Sequence, residues 1–188
     1  MADSDRRRWD KKYEGRSLAD TAQPDPWLAD SVAGLAPGRA LELACGTGHN
    51  ATWLAAQGWA VDALDISPTG LALAEARANQ LGLSVNWMAA DLDSWRPQQK
   101  AYDLVVVVRF LDREQLPGIV LEALVPGGHL VYETFSHLQC DREDNHLRSR
   151  SYALAPGELR QLYSALEEIK YEEVELPACS VARLYARR

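Results

Sequence analysis

The run Tyr102-Asp103-Leu104-Val105-Val106-Val107-Val108 constrains this chain more than any other stretch. An unbroken β-branched run with no polar alternation fits a parallel strand buried on both faces. A strand buried on both sides needs layers above and below it, and the surrounding sequence supplies them. Strand-like segments at 39–43, 60–65, 84–89 and 129–135 alternate with helical ones at 49–57, 68–81 and 114–124. Ser67-Pro68 marks one helix start, with a capping hydroxyl followed by proline at the first helical position. Leu71, Ala74, Ala78 and Leu81 fall on one face of that helix, and Gly82 stops it. The segment Val125-Pro126-Gly127-Gly128 reads as a turn before the strand 129–135. This rhythm predicts an α/β fold with a doubly wound, mostly parallel sheet and right-handed crossovers. Ligands on such sheets bind at the carboxyl ends of the strands, so the loops after residues 43, 65, 89, 108 and 134 should share one rim.

The end of the chain breaks the alternation. After a helix at about 156–165, strand-like runs at 167–175 and 178–186 leave no room for a helix between them. They predict a hairpin, with the last strand antiparallel at one edge of a seven-stranded sheet. The 188 residues suit one domain. Within it, 1–38 reads as an N-terminal helical cap segment, and the polar, aperiodic residues 136–155 as a substrate or lid insertion.

Function is sought first where the first strand ends. Leu41-Glu42-Leu43-Ala44-Cys45-Gly46-Thr47-Gly48-His49-Asn50 passes from strand to helix through two glycines. Such a bend is either a tight turn or a place where a ligand meets bare backbone. Gly46 to Ala51 also matches G-x-G-x-x-A with Asp65 19 residues on, a pattern that serves a nicotinamide dinucleotide as well as another adenosine ligand. Glu42 separates the two: a carboxylate is awkward beside a pyrophosphate and welcome beside an ammonium or sulfonium. Asp65 can accept from both ribose hydroxyls and Asp91 from an exocyclic amine. Each has a plainer alternative, as a loop cap, a helix start or turn chemistry.

These segments resemble the class I S-adenosylmethionine-dependent methyltransferases. "ALELACGTGHN" is similar to the first motif of that family, "VDALDIS" to the second, "AADL" to the third, "YDLVVVV" to the fourth strand and "LVPGGHLVYETF" to the fifth. The terminal hairpin fits as well. "RWDKKYEGR", His49-Asn50, "VRFLDR" and "YETF" point further, to tellurite-resistance (TehB-like) and small-molecule relatives. The resemblance implies a Rossmann-like fold, S-adenosylmethionine as cofactor and S-adenosylhomocysteine as product. By motif, it places Glu42, Ala44, Cys45, Gly46, Gly48 and Asn50 along methionine and ribose. Asp65 and Ile66 would hold the ribose, Asp91 and Leu92 the adenine, with Val108 and Arg109 beside the methyl group. Trp9 and Tyr13, at i and i+4, would close over the cofactor. Ala44 departs from the family, in which many members have glycine; its methyl conflicts with a positive φ there.

For catalysis, Arg109 and His146 are the candidates: Arg109 to bind an anionic acceptor, His146 to bind an oxyanion or move a proton. His137, Arg148 and Arg150 share the insertion with His146, and Glu133 and Thr134 end the fifth strand. A formal net charge of −7 and a pI near 5.1 speak against nucleic acid as acceptor. So does the absence of an Asn/Asp-Pro-Pro-aromatic sequence after the fourth strand. The chain is thus expected to methylate a small acceptor: a chalcogen oxyanion, a thiol or a similar metabolite. The alternatives are a nicotinamide-dependent oxidoreductase and a non-catalytic cofactor-binding module. Three scattered cysteines without metal-ligand spacing, no signal-like segment and no long apolar run predict a metal-free protein of the cytoplasm, off the membrane, monomeric or homodimeric.

Overall fold

The computed structural model describes residues 2–16, 23–147 and 149–188. Two helices, α1 (Ala2–Tyr13) and α2 (Pro26–Val32), precede the alternating part. There β1 (Arg39–Leu43), α3 (His49–Ala56), β2 (Ala60–Asp65), α4 (Pro68–Gln80) and β3 (Asn86–Ala89) are followed by β4 (Tyr102–Val108), α5 (Leu116–Ala123) and β5 (Leu124–Phe135). A short helix, α6 (Glu158–Leu162), leads to β6 (Glu167–Glu175) and β7 (Ser180–Arg187). The seven strands lie in the order β3-β2-β1-β4-β5-β7-β6.

The expected parallel sheet is present. Its strand order reverses between β1 and β4, which pair directly, Leu43 opposite Val107. Leu104 to Val107 are fully buried, and alternate residues enter different cores. Val105 and Val107 pack with Leu41, Leu43, Leu130 and Tyr132 toward α5, while Leu104 and Val106 pack with Ala40, Leu54 and Val131 toward α3. The cap of α4 is also as expected: Ser67 Oγ accepts from Gly70 N at 3.1 Å.

Three expectations are corrected. Leu81 does not join Leu71, Ala74 and Ala78 in the core; it stands at the C-cap of α4, 62% exposed, where the chain turns away. Residues 125–128 are not a separate turn before a strand but part of β5, which begins at Leu124. Gly127 N donates to Arg188 O at 2.7 Å and Arg188 N to Gly128 O at 2.8 Å, which draws the glycines into the sheet. The hairpin is real and β7 is antiparallel to both neighbours, but β7 lies between β5 and β6, so β6 forms the edge. The side chains explain the order. β7 buries Val181, Ala182, Leu184 and Ala186, whereas β6 carries Glu167, Glu168, Glu172, Glu173 and Glu175, charges that suit an edge and discourage further pairing.

The two ends of 136–155 are tied to the rest of the fold. Ser136 N donates to Ser180 O, Gln139 Oε1 accepts from Ser180 N, and Arg113 holds the carbonyls of Ser151 and Ala153. No described helix is long and apolar enough to cross a membrane.

Candidate active site

A cavity of about 390 Å³ opens where β1, β2, β3 and β4 end. Its floor is the loop after β1, and the loop's shape explains its sequence. Ala44, Gly46 and Gly48 all have positive φ, at 56°, 57° and 68°. For Ala44 this is the conformation that its methyl group disfavours, at a cost on the order of 1–2 kcal/mol. Arg109, just past the end of β4, also has positive φ, 60°. Of the three described non-glycine residues with positive φ, these two line the cavity, and Lys100, at 49°, does not.

The three carboxylates gather here. Glu42 is 2% exposed. Its Oε1 accepts from Asn50 Nδ2 at 3.0 Å, while Oε2 is buried without a hydrogen-bond partner. Asn50 is itself fixed, since its Oδ1 accepts from Asp25 N at 2.8 Å. Burial raises the Glu42 carboxyl to about 8, against the bonds from Asn50 and the Ala51 N–H that favour ionisation. Asp65 accepts from Gly46 N at 2.7 Å and Ser67 N at 2.8 Å. It therefore shapes the glycine loop, readies α4 and lines the cavity at once; burial raises its pKa, and these N–H groups pull it back. Asp91 lines the cavity too while accepting from Asp93 N at 3.0 Å, so turn chemistry and cavity exposure coexist.

Helix α1 forms the roof. Tyr13 packs so close to the loop that a Cβ on Gly46 would stand 2.8 Å from its hydroxyl oxygen. A Cβ on Gly70 would stand 2.9 Å from its ring. Trp9 stacks on Tyr13 with ring centroids 5.8 Å apart. Asp10 anchors the helix: its Oδ1 accepts from Ser67 Oγ at 2.5 Å and Thr69 N at 3.1 Å, in the first turn of α4.

Comparison with known proteins agrees with this geometry. Residues 40–128 match the family model described as a methyltransferase domain. The chain is 31% identical over 152 residues to Hemagglutinin 1 of Eikenella corrodens, covering 78% of this chain and 49% of that protein. It is 29% identical over 141 residues to the ubiquinone biosynthesis O-methyltransferase of Burkholderia cenocepacia, covering 72% and 61%. The chain thus spans about half to three fifths of the length of these relatives. Among solved structures, it resembles a protein from work on the conversion of a disulfide bond into a thioacetal group during echinomycin biosynthesis. The TM-score is 0.76 at 24% identity, over 97% of this chain and 92% of that one. TehB from Haemophilus influenzae gives 0.69 at 23%, over 86% and 61%. These matches support a class I S-adenosylmethionine-dependent methyltransferase.

A methyltransferase domain of this class uses S-adenosylmethionine, and the cavity is chemically suited to that cofactor. A buried oxygen of Glu42 with no hydrogen-bond partner offers an acceptor for a cationic group in this cavity. The match to a methyltransferase domain does not favour the nicotinamide alternative.

Thirteen of the fourteen residues expected along the cofactor line this one cavity: Trp9, Tyr13, Glu42, Ala44, Cys45, Gly46, Asn50, Asp65, Ile66, Asp91, Leu92, Val108 and Arg109. Gly48 does not. A Cβ there would stand 2.5 Å from the Trp87 ring and 2.6 Å from the Ala74 methyl, so its bareness serves packing behind the loop.

At the β4 end, Arg109 Nη2 lies 2.6 Å from Glu133 Oε1, its guanidinium carbon sits 5.0 Å from the Phe135 ring centre, and Nη1 is buried without a hydrogen-bond partner. His146 is not in the cavity. It is exposed and meets Phe135 edge-on at 5.1 Å, two side chains from the site. No described residue of 136–155 lines the cavity; Arg148 lies outside the described residues. His137 is 3.6 Å from Glu173, Arg150 is paired with Asp141, and Thr134 is buried in the sheet.

Sequence reasoning overlooked Asp10, Phe110 and the cations Arg8, Lys12 and Arg16, which line the mouth beneath α1 except for Asp10. The four-residue spacing that singled out Trp9 and Tyr13 also links those three cations, so the signal was available.

Proposed function

We propose that this chain transfers a methyl group from S-adenosylmethionine to a small anionic acceptor, a chalcogen oxyanion, a thiolate or a similar metabolite, held by Arg109. The observation that carries this reading is Nη1 of Arg109. Arg109 lines the cavity, and its Nη1 is a buried guanidinium nitrogen with no hydrogen-bond partner, while Nη2 is in ion-pair contact with Glu133. Such a nitrogen favours an oxyanion or thiolate by a charge-assisted bond.

Glu42 would face the amino end of the cofactor, Asp65 the ribose hydroxyls, and Asp91 with Leu92 the adenine. Tyr13 and Trp9 would close the roof and keep water from the reacting atoms. The bound cofactor supplies a methyl group on a positively charged sulfur, a leaving group that needs no acid. The residues of the chain then bind and orient. An acceptor that arrives as an anion needs no base, in keeping with a cavity end at which Arg109 is the charged group and His146 stands outside. Support for a small-molecule acceptor also comes from the O-methyltransferase relative and from the fold shared with TehB.

The test is turnover of labelled S-adenosylmethionine by the purified chain with tellurite, selenite, small thiols and neutral phenols in parallel. Label in the chalcogen or thiol products supports the proposal. Transfer only to neutral acceptors, unaffected by Arg109→Met, would remove it.

A further inference from the structure

Four charges alternate in a line across the sheet. Arg109, past the end of β4, is paired with Glu133 on β5. Glu133 Oε2 accepts from Arg183 Nε on β7 at 2.5 Å, and Arg183 Nη1 donates to Glu172 Oε1 on the edge strand β6 at 3.0 Å. Strand register makes the line possible, with Glu133 opposite Arg183 and Arg183 opposite Glu172. Glu133 is fully buried, and the ring of Trp27 covers Arg183 at 5.4 Å.

The arrangement poses a competition. A carboxylate beside a guanidinium ordinarily engages two of its nitrogens in a fork. In that geometry Glu133 would also engage Nη1, the nitrogen that now has no hydrogen-bond partner. Instead Arg183 takes one oxygen of Glu133, and Arg109 holds only the other. The four charges sum to zero, with the Arg109 guanidinium at the cavity end of the line.

We propose that Arg183 is a positioning residue for the acceptor site: by holding Oε2 of Glu133, it confines that carboxylate to one nitrogen of Arg109 and leaves Nη1 for an anionic acceptor. Arg183 lines no part of the cavity and acts only through Glu133. The inference rests on the reading of Arg109 given above, and its test separates the two.

The test compares crystal structures of the full chain and its Arg183→Met variant, with selenite titrated calorimetrically into each after saturation with S-adenosylhomocysteine. In Arg183→Met, Glu133 should turn onto two nitrogens of Arg109. Selenite affinity should fall at least tenfold, with S-adenosylhomocysteine affinity within twofold of the parent. Arg183→Lys, which keeps a cation beside Glu133, should restore selenite affinity to within threefold. The double variant Glu133→Gln/Arg183→Met carries no buried unpaired carboxylate, so it folds if the single variant does not. It should bind selenite within threefold of the parent, because nothing is left to capture Arg109. Glu133 unmoved in Arg183→Met, or a tenfold loss that persists in the double variant, would overturn the inference. If the parent itself binds no selenite, the anionic-acceptor reading fails for that anion, and the position of Glu133 in Arg183→Met still decides the role of Arg183.

Discussion

Asn50 holds one oxygen of Glu42 at 3.0 Å and leaves the other buried and unpartnered. The sign of the resulting pH dependence follows from the raised pKa, about 8. Stability due to the neutral carboxyl is fully present below its ordinary value near 4.5 and is lost as pH rises through about 8. Glu42→Gln should therefore stabilise the ligand-free protein at pH 8, by at least about 1 kcal/mol, and weaken S-adenosylmethionine binding tenfold or more. A cationic ligand also favours the ionised form, so binding at pH 7 should release protons. Calorimetry in buffers of different ionisation enthalpy reads this directly, and a buffer-independent enthalpy would count against Glu42 as the partner of the ammonium.

Asp65→Asn keeps the shape of the side chain but offers an amide where two backbone N–H groups seek acceptors. Leaving such a donor unpaired costs about 1–3 kcal/mol. Cofactor affinity should drop roughly 5- to 150-fold on that scale, measured by titration with S-adenosylhomocysteine. Parent-like affinity in a folded variant would take Asp65 out of the site.

Asp10→Ala removes the carboxylate that joins α1 to the start of α4. Amide exchange in α1 should quicken about fivefold, as expected for a lost bond worth about 1 kcal/mol, with the sheet unaffected. The Ser67 hydroxyl holds the Asp10 carboxyl below its ordinary value of 3.8. This contribution is present above that value and disappears as pH falls through the lowered one. Uniform exchange across parent and variant would show that the bond does not hold the helix.

Gly48→Ala separates packing from binding. The new methyl would collide with Trp87 and Ala74 at a backbone φ of +68°, so the fold should lose about 2–4 kcal/mol. Chemical denaturation measures it. Cofactor affinity of the folded fraction should stay close to the parent, because Gly48 does not line the cavity. A selective loss of affinity with stability intact would return Gly48 to the binding loop.

The parallel core was legible because its signals are local. The valine run of β4, the Ser67-Pro68 cap and the glycines after β1 each specify their own neighbourhood. What escaped depends on partners distant in sequence. A hairpin can join a sheet by either strand, and only the glutamates of β6 against the apolar faces of β7 show which lies at the edge. His146 was chosen for its chemistry, yet whether a loop histidine reaches a cavity depends on where Phe135 points. Ala44 stands where the resembled family often has glycine, and the cost of that departure hinges on one dihedral angle, φ 56°, which the residue's own identity does not specify.

Asp10 and Tyr13 have a consequence for assembly. Their resting places, Gly46, Ser67, Thr69 and Gly70, are all made later by the ribosome than α1 itself. Twelve isolated residues form at best a marginal helix in water. Because α1 precedes every one of these partners along the chain, it can seat only after the first two strands and the start of α4 have formed, so the chamber beneath it is roofed after its walls stand.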